Sequence, residues 1–376
     1  MFDATELKGS RDGRDSVEPG GHSLAEILSQ PHCWKTCLTE LKQSETVKEV
    51  LARFNHDAEW LFIGCGSSYY VALAAAATMQ ALTGRPARAV PASEILLYPE
   101  LVFSGAACIP VLISRSGQTS EVLKAAVVLK QRNLASVAVS CVKGKTLEKL
   151  ATITITLPAD EKSTVMTRSF TSMLLALQFL ASRVAQNESY ADALLAMPEL
   201  AAAALKSVPE RIRDFVARHT FADYVCLGHG PFYGLACEYA LKITEMSVSY
   251  AQVFHSLEFR HGPKSIVRPE TLVIFLLSEQ GYDAECDLLE EVKSLGGTTL
   301  VVANHANARV HAAGDMVLEL GLRLPETARL AAYLVPGQLL GLHTGLKKGL
   351  NPDSPRNLSR AVILAGDSSR NPGKVG

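Results

Sequence analysis

The sequence has no run of Lys or Arg long enough to form a basic patch, and its formal net charge is −1. Nucleic acid and anionic membrane are therefore not expected as principal partners. No stretch reaches the roughly eighteen consecutive apolar residues that span a bilayer. The polar, Gly-rich start, Met1 to Gly21, lacks the apolar centre of a signal peptide. The expectation is a soluble, cytoplasmic protein. Cys33 and Cys37 are followed by no second pair at zinc-ligand spacing, and the other cysteines are scattered. They read as reduced structural thiols, and neither a metal nor a cofactor is expected.

What is present is a repeat. With 376 residues and 48% hydrophobic content, the chain has material for two or three cored domains. Trp60 to Gly66 matches Tyr224 to Gly230, Val111 to Ser114 matches Phe275 to Ser278, and Gly117 falls on Gly281, each 164 residues further on. Ser136 to Val139 and Ile153 to Leu157 find partners in the same register. Short apolar runs alternate with helical patterns in both copies, the signature of βαβ units. The fold class is α/β, with two tandem doubly wound parallel sheets of flavodoxin-like type. The expected organisation is a disordered tail (1–23), a helical segment (24–57), copy one (58–190), a helical linker (191–219), copy two (220–350) and a C-terminal tail (351–376). Pro336 and Gly337 are expected to interrupt the last helix of copy two.

Ser114-Arg115-Ser116-Gly117-Gln118-Thr119 lies between an apolar strand and a helix. Free N–H groups and the positive end of the helix dipole favour an anion there. The hexapeptide does not end in Gly-Lys-Ser/Thr, so it points to a small phosphorylated ligand rather than a triphosphate. The other reading is a capped helix, with Ser116 or Thr119 satisfying backbone donors. Ser67 and Ser68 follow the turn Gly64-Cys65-Gly66, and Thr164 and Thr167 open a later helix. All three hydroxyl clusters are expected at one crevice, at the carboxyl ends of the strands. In copy two, Glu279 and Asp283 stand at the cradle's place and repel phosphate. Copy two instead carries Glu238, Lys242 and Glu245 on one face of an otherwise apolar helix. Such a stripe is a surface salt-bridge ladder when exposed, and paired or functional when buried. His261 precedes a Gly-Pro turn on a loop soon afterwards.

With these residues in place, the chain resembles the double sugar isomerase (SIS) family over about residues 24–365. The motifs are Gly64 to Ser68, Ser114 to Thr119, Ala240 to Glu245 and Glu258 to Pro263. The resemblance implies that Ser67, Ser68, Ser114, Ser116 and Thr119 hold a sugar 6-phosphate, with Cys65, Gly66, Arg115, Thr164 and Glu238 also lining the ligand site. It implies Glu245 as the base between C1 and C2, Lys242 as the cation on the developing oxyanion, and His261 as the ring-opening residue. In the family that histidine comes from the neighbouring subunit, so a homodimer is expected.

Two departures matter. Phe2 follows Met1, so the family's cysteine-led glutaminase domain is not expected. Arg360 stands where the family has a Schiff-base lysine, and arginine forms no imine, although Arg360 is still counted among the ligand-binding residues. The expected activity is aldose–ketose isomerisation of a sugar phosphate, with deamination of a hexosamine 6-phosphate as the leading form. A transaminase-like enzyme fed with ammonia and a non-catalytic sugar-phosphate sensor are the alternatives.

Overall fold

The computed structural model describes residues 18–54, 56–103, 105 and 107–364. Residues 1–17 of the expected disordered tail and 365–376 of the C-terminal tail lie outside the described residues. Three helices come first: α1 (Gly21–Leu28), α2 (Gln30–Lys42) and α3 (Glu45–Arg53). Copy one follows as β1 (Glu59–Gly64), α4 (Ser67–Thr83), β2 (Ala87–Pro91), α5 (Ala92–Leu97), α6 (Pro99–Val102), β3 (Cys108–Ile113), α7 (Ser120–Gln131), β4 (Val137–Ser140), α8 (Thr146–Leu150), β5 (Ile153–Thr156) and α9 (Arg168–Val184). Two helices, α10 (Glu188–Ala204) and α11 (Val208–Arg218), lead to copy two. It comprises β6 (Asp223–Gly228), α12 (Pro231–Ser247), β7 (Tyr250–His255), β8 (Thr271–Leu276), α13 (Tyr282–Ser294), β9 (Thr298–Ala303), α14 (Ala308–Ala313), β10 (Met316–Glu319) and α15 (Leu330–Lys347).

Both sheets are parallel, with the orders β2-β1-β3-β4-β5 and β10-β9-β8-β6-β7. These are the same 2-1-3-4-5 arrangement. Helices cover both faces, so a central strand such as β8 is buried along its whole length and reads as the unbroken run Thr-Leu-Val-Ile-Phe-Leu. The order reverses between β1 and β3, which makes their carboxyl ends the switch point of copy one.

The structure corrects the repeat register. Trp60 pairs with Ala87 and Tyr224 with Ala251, so strands one and two of each copy keep the 164-residue spacing. Glu59 pairs with Cys108 but Asp223 with Thr271, so β3 and β8 are 163 apart. The missing residue falls in the connection 256–270, where two 3-10 turns replace α5 and α6. The residue matching Ser114 is therefore Leu277, since their N–H groups donate to the equivalent carbonyls of Val139 and Val302. An apolar run slides by one without losing hydrophobicity, and the shared Ser and Gly drew the sequence match to the wrong register.

The copies meet through α4 and α12, while α15 packs along α12 and α9 packs on α4. Pro336 does not break α15, contrary to expectation: the helix is continuous from Leu330 to Lys347. Tyr239 Oη donates to the carbonyl of Tyr333, in the turn where proline offers no N–H. One turn later, a Cβ on Gly341 would stand 2.7 Å from the Lys242 carbonyl oxygen and 2.9 Å from its carbon. Helix propensity alone favours alanine over glycine by about 1 kcal/mol. Backbone cannot yield as a side-chain tip does, so overpacking wins, and we expect Gly341→Ala to lower stability by about 1–3 kcal/mol. A urea midpoint equal to or above wild type would show that α15 shifts to accept the methyl group.

Candidate functional site

Two strand-to-helix turns build one wall. Gly66 turns the chain at φ +54°, a left-handed conformation that suits glycine, and places Ser67 and Ser68 in the first turn of α4. Beside it, Ser114 continues the β3 ladder, and its hydroxyl lies 3.1 Å from that of Thr119. Thr119 is the N-cap of α7, yet its side chain accepts no helix N–H. Ser116 Oγ accepts from Gln118 N at 3.2 Å, inside the turn rather than on the helix. The capped-helix reading therefore holds for neither residue in its simple form.

Arg115 is placed differently from the expectation. It is 5% exposed and turns away from the hydroxyls. Its guanidinium donates to Glu161 Oε2 (3.1 Å) and to the carbonyls of Val165 (3.1 Å), Thr164 (2.8 Å) and Arg360 (2.8 Å). Glu161, 2% exposed, also accepts from the N–H and hydroxyl of both Thr167 and Ser169. Thr167 thus serves this carboxylate and not the crevice, while the main chain of Thr164 is tied to Arg115 and, through its N–H, to the Asp353 carbonyl at 2.9 Å. Glu161 and Glu26, which accepts from Ser163 and Lys162, were not singled out from sequence. For Glu161, an acid inside a Ser/Thr-rich loop was the available signal.

The opposite wall comes from copy two. Glu238 and Lys242 are fully buried on α12, and the Glu245 side chain is 18% exposed. Ser67 Oγ donates to Glu238 Oε1 at 3.0 Å, and Lys242 Nζ lies 3.3 Å from that oxygen and 3.4 Å from Ser67 Oγ. Lys242 also donates to Glu245 Oε2. The stripe is therefore no surface ladder, and Ser67 joins it to the switch point of copy one. Burial pushes the Glu238 carboxyl up to about 8, against the attraction of Lys242. Burial lowers Lys242, but the attraction of Glu238 and Glu245 outweighs it and raises the ammonium, which keeps its charge. One lysine faces two acids, and burial places the proton on the deeper one. Glu238 Oε2 has no partner among the described residues. Cys65, half-buried in the same turn, has its thiol raised to about 11 by burial and by Glu121.

The repeat makes no second such site among the described residues, because α4 of copy one lacks the stripe and copy two lacks an open cradle. On α4, Glu238, Lys242 and Glu245 become Ala74, Thr78 and Ala81. The cradle position of copy two is filled from within: Glu285 Oε2 accepts from Ser278 N (2.8 Å) and Oγ (3.0 Å), and Oε1 from Ser256 Oγ (3.0 Å). Of the two acids expected to repel phosphate here, Glu279 is paired with Arg329.

Two further candidates lie apart. His261 is exposed, with its N–H on the Glu258 carbonyl at 3.0 Å, and no hydrogen bond or ion pair joins it to the stripe among the described residues. The Arg360 side chain pairs with Asp160 at the surface. No helix among the described residues is long and apolar enough to cross a membrane.

The SIS domain profile matches residues 56–183 and 224–332. The glutamine–fructose-6-phosphate aminotransferase of Pyrococcus horikoshii is 27% identical over 362 residues, covering 93% of this chain and 59% of that protein. That of Pyrobaculum aerophilum is 29% identical over 365 residues, covering 91% and 57%. The chain thus spans about three fifths of the length of these relatives. Among solved structures, a glucosamine-6-phosphate deaminase of Thermotoga maritima superposes with a TM-score of 0.71 at 29% identity, covering 91% of this chain and 100% of that one. The tagatose-6-phosphate ketose/aldose isomerase of Escherichia coli shares the fold, with a TM-score of 0.80 at 22% identity over 93% and 98%.

Proposed function

This chain belongs to the SIS domain family, and we propose that it is a phosphosugar isomerase acting on a hexosamine 6-phosphate, which it deaminates to the ketohexose 6-phosphate. The observation that carries this reading is the buried Glu238–Lys242–Glu245 stripe, joined through Ser67 to the hydroxyl-lined switch point of the other copy. The names of the aminotransferase, deaminase and isomerase relatives support the substrate class.

In this reading Ser67, Ser68, Ser114, Ser116 and Thr119 anchor the phosphate, and the open-chain sugar reaches across to α12. Glu245 takes the proton from C2 and returns it to C1. Lys242 offsets charge developing on O1, in a water-poor setting where such compensation is strong. Protonation at C1 leaves an imine at C2, and one water hydrolyses it to the ketone and ammonia. Glu238, its carboxyl raised by burial, donates to a substrate hydroxyl from Oε2, which has no partner among the described residues. His261 opens the sugar ring in the site of a neighbouring subunit, so the working unit is a dimer. The chain acts as an isomerase without Schiff-base capture, because Arg360 holds no transferable nucleophilic amine.

The test is to incubate the purified protein with glucosamine 6-phosphate and galactosamine 6-phosphate and to assay ammonia and ketose. Stoichiometric release of both is expected. Ketose formed only from a non-amino hexose phosphate would reduce the reading to simple isomerisation. Net hexosamine formation from ketose and ammonia would favour the aminotransferase direction. Binding without any turnover would leave a sensor.

A further inference from the structure

The cradle contains one residue whose chemistry the phosphate reading does not use. We propose that Arg115 is a positioning residue that latches segment 353–364 across the phosphate cradle, rather than a ligand of the phosphate. The proposal rests on the reading of Ser114 to Thr119 as a phosphate site.

Four of the five guanidinium N–H groups of Arg115 are committed, one of them to the Arg360 carbonyl. The segment that carries this carbonyl is pinned at both ends. At its base, the Asp353 carboxylate accepts from His22 N (3.1 Å), Ser23 N (2.7 Å) and Ser23 Oγ (2.7 Å) on α1. At its far end, the Val362 carbonyl accepts from Ser120 N (3.1 Å), and Leu364 N donates to Ser120 Oγ (3.0 Å). Ser120 is the first residue of α7, so the segment lies directly on the helix end that the cradle uses.

Apolar burial holds only the base of the segment, at Pro355, because Val362 and Ile363 farther along are 52% and 58% exposed. The bonds at Ser120 are neutral and partly wet, whereas the Arg115 bond is charge-assisted and comes from a buried group, roughly twice as strong. The Arg360 side chain also pairs with Asp160, but at the surface, where an ion pair contributes little, so the latch depends mainly on Arg115. Glu161 holds the guanidinium in the plane that reaches Thr164, Val165 and Arg360 at once. Lysine offers donors from one atom only and cannot span those acceptors. Order in the cradle and closure of the segment are in this way one event, and phosphate in the cradle stabilises both.

The test is hydrogen exchange of the peptide 356–364 in the full chain, with and without inorganic phosphate, alongside phosphate affinity by calorimetry. The variants are Arg115→Lys and the double variant Arg115→Gln/Glu161→Gln, which removes both members of the buried pair and leaves no uncompensated charge. In both, the segment is expected to exchange about tenfold faster without ligand, the equivalent of one lost charge-assisted bond. Phosphate should bind about tenfold more weakly and no longer slow the exchange. Wild-type exchange rates in both variants would overturn the latch. Weaker phosphate binding with unchanged exchange would instead make Arg115 a direct ligand. Absence of phosphate binding by the wild-type protein would overturn the site reading beneath the proposal, while exchange in the ligand-free variants still decides the latch itself.

Discussion

Glu245→Gln is expected to lower turnover of the hexosamine 6-phosphate by about a thousandfold, within the range for loss of a general base, while leaving KM close to wild type. Glutamine keeps the size of the side chain and the acceptor oxygen that Lys242 reaches, so the stripe remains assembled. What it loses is the capacity to take a proton from carbon. In the proposed reading the sugar is anchored at the cradle on the other copy, so the variant should still bind it, and a fall in kcat with constant KM is the signature of an interaction made only in the transition state. Loss of solvent-proton exchange at C1 and C2 of the bound sugar gives an independent reading of the same step. Turnover within a factor of a few of wild type would remove Glu245 from the mechanism.

Much of the architecture behind that prediction was legible because it rests on patterns with few physical solutions. Short apolar runs between helical segments build parallel strands covered on both faces. A hydroxyl-rich turn after such a strand falls at the switch point whatever its ligand. The charged stripe stood out because its neighbours Ala236, Cys237, Tyr239 and Ala240 are apolar, and all four are buried. The failures share a different cause, since they concern where a side chain turns. Arg115 sits among phosphate-binding residue types, but Glu161, forty-six positions away, draws it inward. Nothing in the sequence marks Glu285 apart from other helical acids, and only the fold places Ser256 and Ser278 around it. The slip from 164 to 163 arose in a connection whose two versions share no secondary structure, where hydrophobic pattern carries no register information.

Lys242→Met is the other substitution expected to have a large effect, and its signature is a dependence on pH. The Glu238 carboxyl titrates near 8 in the folded protein against an ordinary value of 4.5. Between those values the unfolded chain has released a proton that the folded chain keeps, so stability falls as pH rises and levels off above about 8. Burial is the main cause of the raised value, and Lys242 is the main force opposing it. Removing the lysine leaves only the Ser67 hydrogen bond to oppose burial: the proton is held more tightly, and ionising Glu238 in the native state costs more. The methionine variant should therefore lose more stability at pH 9 than at pH 5, with a loss at the higher pH of about 3–5 kcal/mol, as when one partner of a buried pair is removed. Activity should fall by about a hundredfold or more, from the missing compensation of the oxyanion. Adding Glu238→Gln removes the buried acid, and the pH dependence of the stability loss should largely disappear. Urea unfolding of the wild type and both variants at the two pH values decides it. An equal loss at pH 5 and pH 9 in Lys242→Met would mean that the lysine packs against the stripe without balancing the charge of Glu238.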